Sequence, residues 1–277
     1  MNDKKMDNSI FNIGEACCAA DLGGERRADD FLTVRALMMS QRDGESTMRT
    51  IIIGDIHGCS GSLRHLLAQI APDEKSDRLI LLGDLFDRGP DSWGVFQMVR
   101  ELADKFGDRF VLLRGNHDDY LLTPDPSWGL LRMWEHVGRG TTVKSFEAHG
   151  EKMESSAAWI GEHAVPFWRG DGFQCVHAGL RTDPIESNDA RTMIHDHYVA
   201  MENRYAGPIT IVGHIALDQA VWFPGMRKQI YAISDGIWED LPQSGVICID
   251  TGCGKGGRLT DMVIEDGKFI LHSVAEM

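Results

Sequence analysis

Three short apolar runs punctuate the middle of the chain, and each empties into a polar string bounded by glycine. Ile51-Ile52-Ile53 leads into Gly54-Asp55-Ile56-His57-Gly58, and Leu79-Ile80-Leu81-Leu82 into Gly83-Asp84-Leu85-Phe86-Asp87-Arg88-Gly89. Phe110-Val111-Leu112-Leu113 leads into Arg114-Gly115-Asn116-His117-Asp118. Unbroken β-branched and leucine runs of this length predict buried strands. Between them, residues 62–70 and the positions Val95, Phe96, Val99 and Leu102 are apolar at helical spacing, the first stretch closed by Pro72 and the second opened by Pro90. Strand, polar loop and helix in succession predict a parallel sheet with crossover helices, and ligands of such sheets gather at the carboxyl ends of the strands.

Residues 120–163 predict a mostly helical insertion beside those ends, with Trp128, Trp134 and Trp159 as packing anchors. Two further strands are predicted over residues 173–176, ending in His177-Ala178-Gly179, and 209–212, ending in Gly213-His214. Apolar segments at 229–232, 246–250, 262–265 and 269–272 predict short strands of a second sheet packed on the first. Residues 1–47 are mixed and polar and are expected to form an N-terminal extension, with residues 48–277 as the folded domain.

Composition narrows the class. The chain of 277 residues is 43% hydrophobic, with no run near the roughly eighteen apolar residues a membrane span needs. A net charge of -14 argues against a sequence-independent grip on nucleic acid, which depends on neutralising phosphates. Six cysteines without metal-binding spacing and an N-terminus without a secretory pattern fit reduced thiols in a cytoplasmic protein.

The strand-end residues Asp55, His57, Asp84, Asn116, His177 and His214 mix carboxylate, amide and imidazole donors, a set suited to Mn, Fe or Zn. Six donors exceed the needs of one tetrahedral ion, so a pair of ions sharing the central Asp84 is the expected arrangement. Two ions roughly 3.5 to 4 Å apart hold a hydroxide at neutral pH and grip both oxygens of an in-line displacement at phosphorus. His117 is the candidate proton donor to an alkoxide leaving group, with Asp87 as acceptor for its other N–H. Arg88 and Arg114 flank the same loops and suit bidentate phosphate binding.

With these residues in place the chain resembles the phosphoprotein phosphatase family of calcineurin-like metallophosphoesterases. The family's signatures GDxHG, GDxxDRG and GNH(E/D) match residues 54–58, 83–89 and 115–118, and its later histidine motifs match His177 and His214. The resemblance implies an α/β fold in four layers, a β-sandwich flanked by helices. It implies Asp55, His57 and Asp84 around one metal and Asp84, Asn116, His177 and His214 around a second, Mn being the first expectation. His117 with Asp87 would supply the acid, and Arg88 and Arg114 would bind phosphate.

One position departs from the pattern. A further phosphate-binding arginine of bacterial members would align with His195, leaving Arg181, Arg191 or Arg204 to substitute. Intact Asp87 favours phosphoserine and phosphothreonine in proteins as substrates, with diadenosine tetraphosphate and related dinucleotides as the alternative. His149, His163, His197 and His272 lack a strand-end motif and are expected to be structural. Residues 251–257 are expected to form a glycine turn at the site rim.

Overall fold

The computed structural model describes residues 48–197 and 202–277; the expected extension over residues 1–47 lies outside the described residues. Two mixed sheets face each other. The first has seven strands and the second six.

Parallel neighbours β1 (Thr50–Ile53), β2 (Arg78–Leu81) and β3 (Phe110–Leu113) form the middle of the first sheet. Their runs are apolar throughout because both faces are covered. Ile52, Ile80, Val111 and Leu113 point into the core between the sheets, while Ile51, Ile53, Leu79, Leu81 and Leu112 point into the core beneath the helices. Strand side chains alternate faces, so a run apolar at every position is what a twice-covered strand requires. Each such side chain, removed from water, contributes about 1.5–3 kcal/mol before the entropy of ordering it is counted.

Helices α1 (Ser60–Ile70) and α2 (Ser92–Phe106) connect these strands, and their apolar faces complete the helix-side core. Pro90 does not begin α2: Asp91 is the N-cap, its Oδ1 accepting from the Gly94 N–H at 2.9 Å, and Pro90 stands one residue outside. The predicted helical insertion is α3 (Asn116–Leu122), α4 (Trp128–His136), α5 (Arg139–Glu147) and α6 (Ala157–His163), followed by β4 (Ala164–Val165) at the sheet edge.

In the second sheet, β6 (Gln174–Val176), β7 (Thr210–Val212) and β11 (Val246–Cys248) run parallel as neighbours, flanked by antiparallel β5 (Phe167–Arg169) and β8 (Val221–Phe223), with β9 (Tyr231–Ala232) outermost. Helix α7 (Ala190–His195) adds Met193 to the core between the sheets.

The tail departs from the expectation of one added sheet. β12 (Arg258–Glu265) and β13 (Lys268–Ala275) are longer than the apolar segments suggest and belong to the first sheet, where β12 pairs antiparallel with β1. β10 (Glu239–Asp240) joins them at the outer edge. Only β9 and β11 of the predicted tail strands enter the second sheet. The hairpin turn Asp266-Gly267, with both residues at positive φ, returns the chain along β12, and one such turn fixes the pairing of eight residues.

Candidate active site

In each sheet three neighbouring parallel strands lead to a polar residue at one rim. β1, β2 and β3 deliver Asp55, Asp84 and Asn116; β6 and β7 deliver His177 and His214. β11 delivers Asp250, which the sequence reading missed. Asp250 is buried, and its Oδ2 has no hydrogen-bond partner. The signal was present: Asp250 follows an apolar run as Asp55 and Asp84 do, but the glycine-rich residues after it suggested only a turn.

Four of the six predicted ligands, His57, Asp84, His177 and His214, fall in two groups, the first of which also takes in His117, the expected proton donor. Donor atoms of His57, Asp84 and His117 lie within 4.8 Å of one another, as do those of Asp84, His177 and His214. Asp84 belongs to both. His57 Nε2 lies 3.6 Å from Asp84 Oδ2 and 4.0 Å from Asp55 Oδ2, and His177 Nε2 lies 3.5 Å from Asp84 Oδ1. His57, Asp84, Asp87, Arg88 and His214 all adopt left-handed backbone, a strain that clusters where side chains are held for function.

Ring orientation is set from behind. His57 Nδ1 donates to Phe86 O and His177 Nδ1 to Leu82 O, each at 2.8 Å, which leaves both Nε2 atoms as acceptors on the carboxylate side, that of His57 met by Arg88 Nη1. Asn116 is fixed likewise: its Nδ2 donates to the Tyr120 hydroxyl at 3.0 Å and turns Oδ1 toward the histidines. That oxygen stands 3.2 Å from His177 Nε2 and 2.7 Å from His214 Nδ1. An acceptor oxygen thus faces the lone pair of His177 in a buried space, which is unfavourable unless a cation lies between them.

The electrostatics agree. Burial, reinforced by Asp250 and Asp84, pushes the Asp55 carboxyl well above its ordinary range, and its Oδ1 lacks a partner. Burial pushes His57, His177 and His214 down, toward neutral rings. Clustered carboxylates, neutral imidazoles and an amide oxygen with unmet acceptors fit divalent cations of intermediate hardness. The Arg88 guanidinium reaches His57 Nε2 with Nη1 and His117 Nε2 with Nη2, the latter at 3.1 Å.

His117 and Asp87 pair as expected, Nδ1 donating to Oδ2 at 2.6 Å. Two partners of Asp87 were not legible in the sequence. Trp134 Nε1 donates to Oδ2 and Thr142 Oγ1 to Oδ1, each at 2.7 Å. Trp134 is therefore more than a packing anchor. Trp128, at 72% exposure beneath the Arg132 guanidinium, is not one at all.

Asp118 anchors the loops: Oδ2 accepts from the N–H groups of Asp84 and Gly115 and Oδ1 from that of Leu85. Arg114 Nη2 pairs with Asp119 Oδ1 at 2.7 Å, and the other oxygen of Asp119 accepts from His195 Nε2 at 2.7 Å. His195 thus supports Arg114 through Asp119. Arg181 and Arg204, expected as substitutes for the missing arginine, are largely exposed and paired with Asp196 and Glu202. His197, expected to be structural, contacts His214 through its Nδ1. Residues 251–257 do turn at the rim, where a Cβ on Gly254 would stand 2.6 Å from His57 Cβ.

Fold and site together define a metallophosphoesterase. The chain belongs to the calcineurin-like phosphoesterases, whose family model matches residues 48–260. It is 48% identical over 267 residues to the symmetrical bis(5'-nucleosyl)-tetraphosphatase of Klebsiella pneumoniae (strain 342), covering 80% of this chain and 93% of the relative. It is 45% identical over 273 residues to the protein of the same name from Pectobacterium carotovorum subsp. carotovorum (strain PC1), covering 82% and 95%. A metallophosphoesterase structure from Sphaerobacter thermophilus superposes with a TM-score of 0.58 at 20% identity, covering 83% of this chain and 90% of that one, and shares the fold. Among the described residues no helix is long and apolar enough to cross a membrane.

Proposed function

We propose that this chain hydrolyses bis(5'-nucleosyl) tetraphosphates at the centre of the polyphosphate, releasing two nucleoside diphosphates. The observation that carries this is the relatedness, at 45–48% identity over four fifths of the chain, to proteins named for that reaction. The alternative reading of the sequence is thus favoured over the protein phosphatase.

Asp55, His57 and Asp84 would hold one divalent ion and Asp84, Asn116, His177 and His214 a second, with Mn the first expectation and Asp250 adding negative charge behind them. When bound, such ions supply charge neutralisation and a more acidic water. The protein's own groups do the rest. Arg88 and Arg114 bind the phosphate oxygens flanking the cleaved bond, Arg114 held in place by Asp119 and His195. His117 gives a proton from Nε2 to the departing oxygen, with Nδ1 fixed by Asp87.

A second reading, hydrolysis of phosphoserine and phosphothreonine, is supported by that same Asp87–His117 pair. An alkoxide needs a proton more than a nucleoside diphosphate does. Comparing kcat/KM on diadenosine tetraphosphate and on a phosphothreonine peptide, with Mn present, tests both. A higher value on the dinucleotide, with ADP as sole nucleotide product, is expected. A higher value on the peptide, or AMP and ATP as products, would reverse the assignment. Cytoplasmic location follows from the intracellular character of such substrates.

A further inference from the structure

The turn after β11 carries a cation that the proposed chemistry does not use. Residues 251–257 fold back on themselves, with Gly252, Gly254 and Gly256 all at positive φ. Gly252 O accepts from the N–H groups of Lys255 and Gly257, each at 3.0 Å, and Thr251 O accepts from that of Arg258 at 2.9 Å. From outside the turn, Asp250 Oδ1 accepts from the Gly252 N–H at 2.9 Å and Glu276 Oε2 from the Gly256 N–H at 2.7 Å. The backbone of Lys255 is thus fixed on both sides.

That backbone stands at the rim of the site. A Cβ on Gly254, the residue before Lys255, would lie 2.6 Å from His57 Cβ and 3.1 Å from Arg88 Cβ. Lys255 itself is exposed, and its ammonium has no carboxylate at ion-pair distance among the described residues. The same holds for the Arg88 guanidinium, whose partners are the Nε2 atoms of His57 and His117. Crowding by the surrounding protein lowers the Lys255 pKa, and the charge of Arg88 adds to the effect, against the pull of Asp250, Asp55 and Asp84. Two like charges side by side with no anion between them are unfavourable, and a bound anion reverses the sign.

We propose that Lys255 binds the second phosphate of a polyphosphate ester, the one next to the phosphate held by Arg88, and so favours such substrates over single phosphates. That the second phosphate belongs to a dinucleotide rests on the tetraphosphatase reading; the contact itself does not. Cleavage at the centre of a tetraphosphate leaves two phosphates on each side of the broken bond. The donor groups, Arg88 and Arg114 surround the inner ones, and an outer one is left with its charge unmet. An ammonium on a flexible stem suits that place, because it meets the phosphate as a point charge and demands no fixed plane. A monoester has no second phosphate, so Lys255 contributes little to holding it.

The test uses the full-length, Mn-loaded chain at fixed free Mn, with ADP and AMP as probes that differ by one phosphate. Titration calorimetry is expected to show ADP bound more tightly than AMP by the wild type. Lys255→Met should weaken ADP roughly 10-fold and AMP much less, as loss of one charged hydrogen bond to the added phosphate requires. Lys255→Arg should restore most of the preference. On diadenosine tetraphosphate, kcat/KM should fall in Lys255→Met by the factor seen for ADP. A wild type without preference for ADP, an equal loss on both nucleotides, or a variant that binds ADP as the wild type does would overturn the assignment; an equal loss would mean that Lys255 only supports the turn. Calorimetry reads the contact whether or not the chain cleaves the dinucleotide. A chain that hydrolyses only the phosphothreonine peptide, yet loses its ADP preference in Lys255→Met, would overturn the tetraphosphatase reading alone.

Discussion

His117 Nδ1 and Asp87 Oδ2 stand 2.6 Å apart with both side chains buried, and the Asp87 carboxylate is committed on both oxygens by Trp134 and Thr142. A carboxylate held from three sides cannot turn away, so the imidazole it receives is fixed in plane and tautomer. Asp87→Asn keeps the volume but presents an amide where a charge stood. We expect kcat to fall roughly 10–100-fold on alkyl phosphates, and less on aryl phosphates whose leaving groups need no proton. Steady-state rates across a leaving-group series check this; an equal loss on both classes would remove the proton-donor role.

The close approach of Gly115 to Asp84 gives a second prediction. A Cβ on Gly115 would lie 2.2 Å from both the backbone nitrogen and Oδ1 of Asp84. Gly115→Ala must push the strand-end loops of β2 and β3 apart, and Asp84 is the side chain common to both donor groups. Affinity for Mn should drop by roughly 10–100-fold, with the melting temperature in chelator changing less than the affinity. Isothermal titration with Mn and a thermal melt in EDTA separate the two effects.

Much of this site was legible because its chemistry is written at the ends of buried strands. Apolar runs such as Ile51-Ile52-Ile53 mark the strand, and the next polar residue with a free side chain is placed at the rim by the sheet itself. Asp55, Asp84, His177 and His214 obey that rule, and so does the overlooked Asp250, while Asn116 follows Arg114 by two residues. Residues that act across the fold carry no such mark. Trp134 and Thr142 reach Asp87 from the helices α4 and α5, and His195 reaches Asp119 from α7; each contact spans at least 47 positions. The placement of β12 beside β1, with β13 outside it, was equally hidden, since alternation shows a strand but not which sheet it joins.

Away from the site, Asp261 on β12 makes stability depend on pH. Burial pushes its carboxyl up to about 7 although His272, with Nδ1 at 3.2 Å from both oxygens, pulls the other way. The folded chain therefore keeps a proton that the unfolded chain releases near the ordinary 3.8. Below 3.8 both states are protonated; between 3.8 and about 7 this group's contribution declines as pH rises, and above 7 it is constant. Asp261→Asn removes that decline. In EDTA, the difference in Tm between variant and wild type should move in the variant's favour from pH 4 to pH 7, and parallel profiles would show that Asp261 is ionised throughout.

Asp84 belongs to both donor groups, which makes metal content the most direct measurement. Wild-type chain and Asp84→Asn, each loaded with Mn and passed through gel filtration, are compared by elemental analysis and by hydrolysis of diadenosine tetraphosphate. The expected result is two ions per wild-type chain and fewer than one in the variant, with hydrolysis lost in step. A variant that retains two ions and full turnover would contradict the shared-carboxylate site.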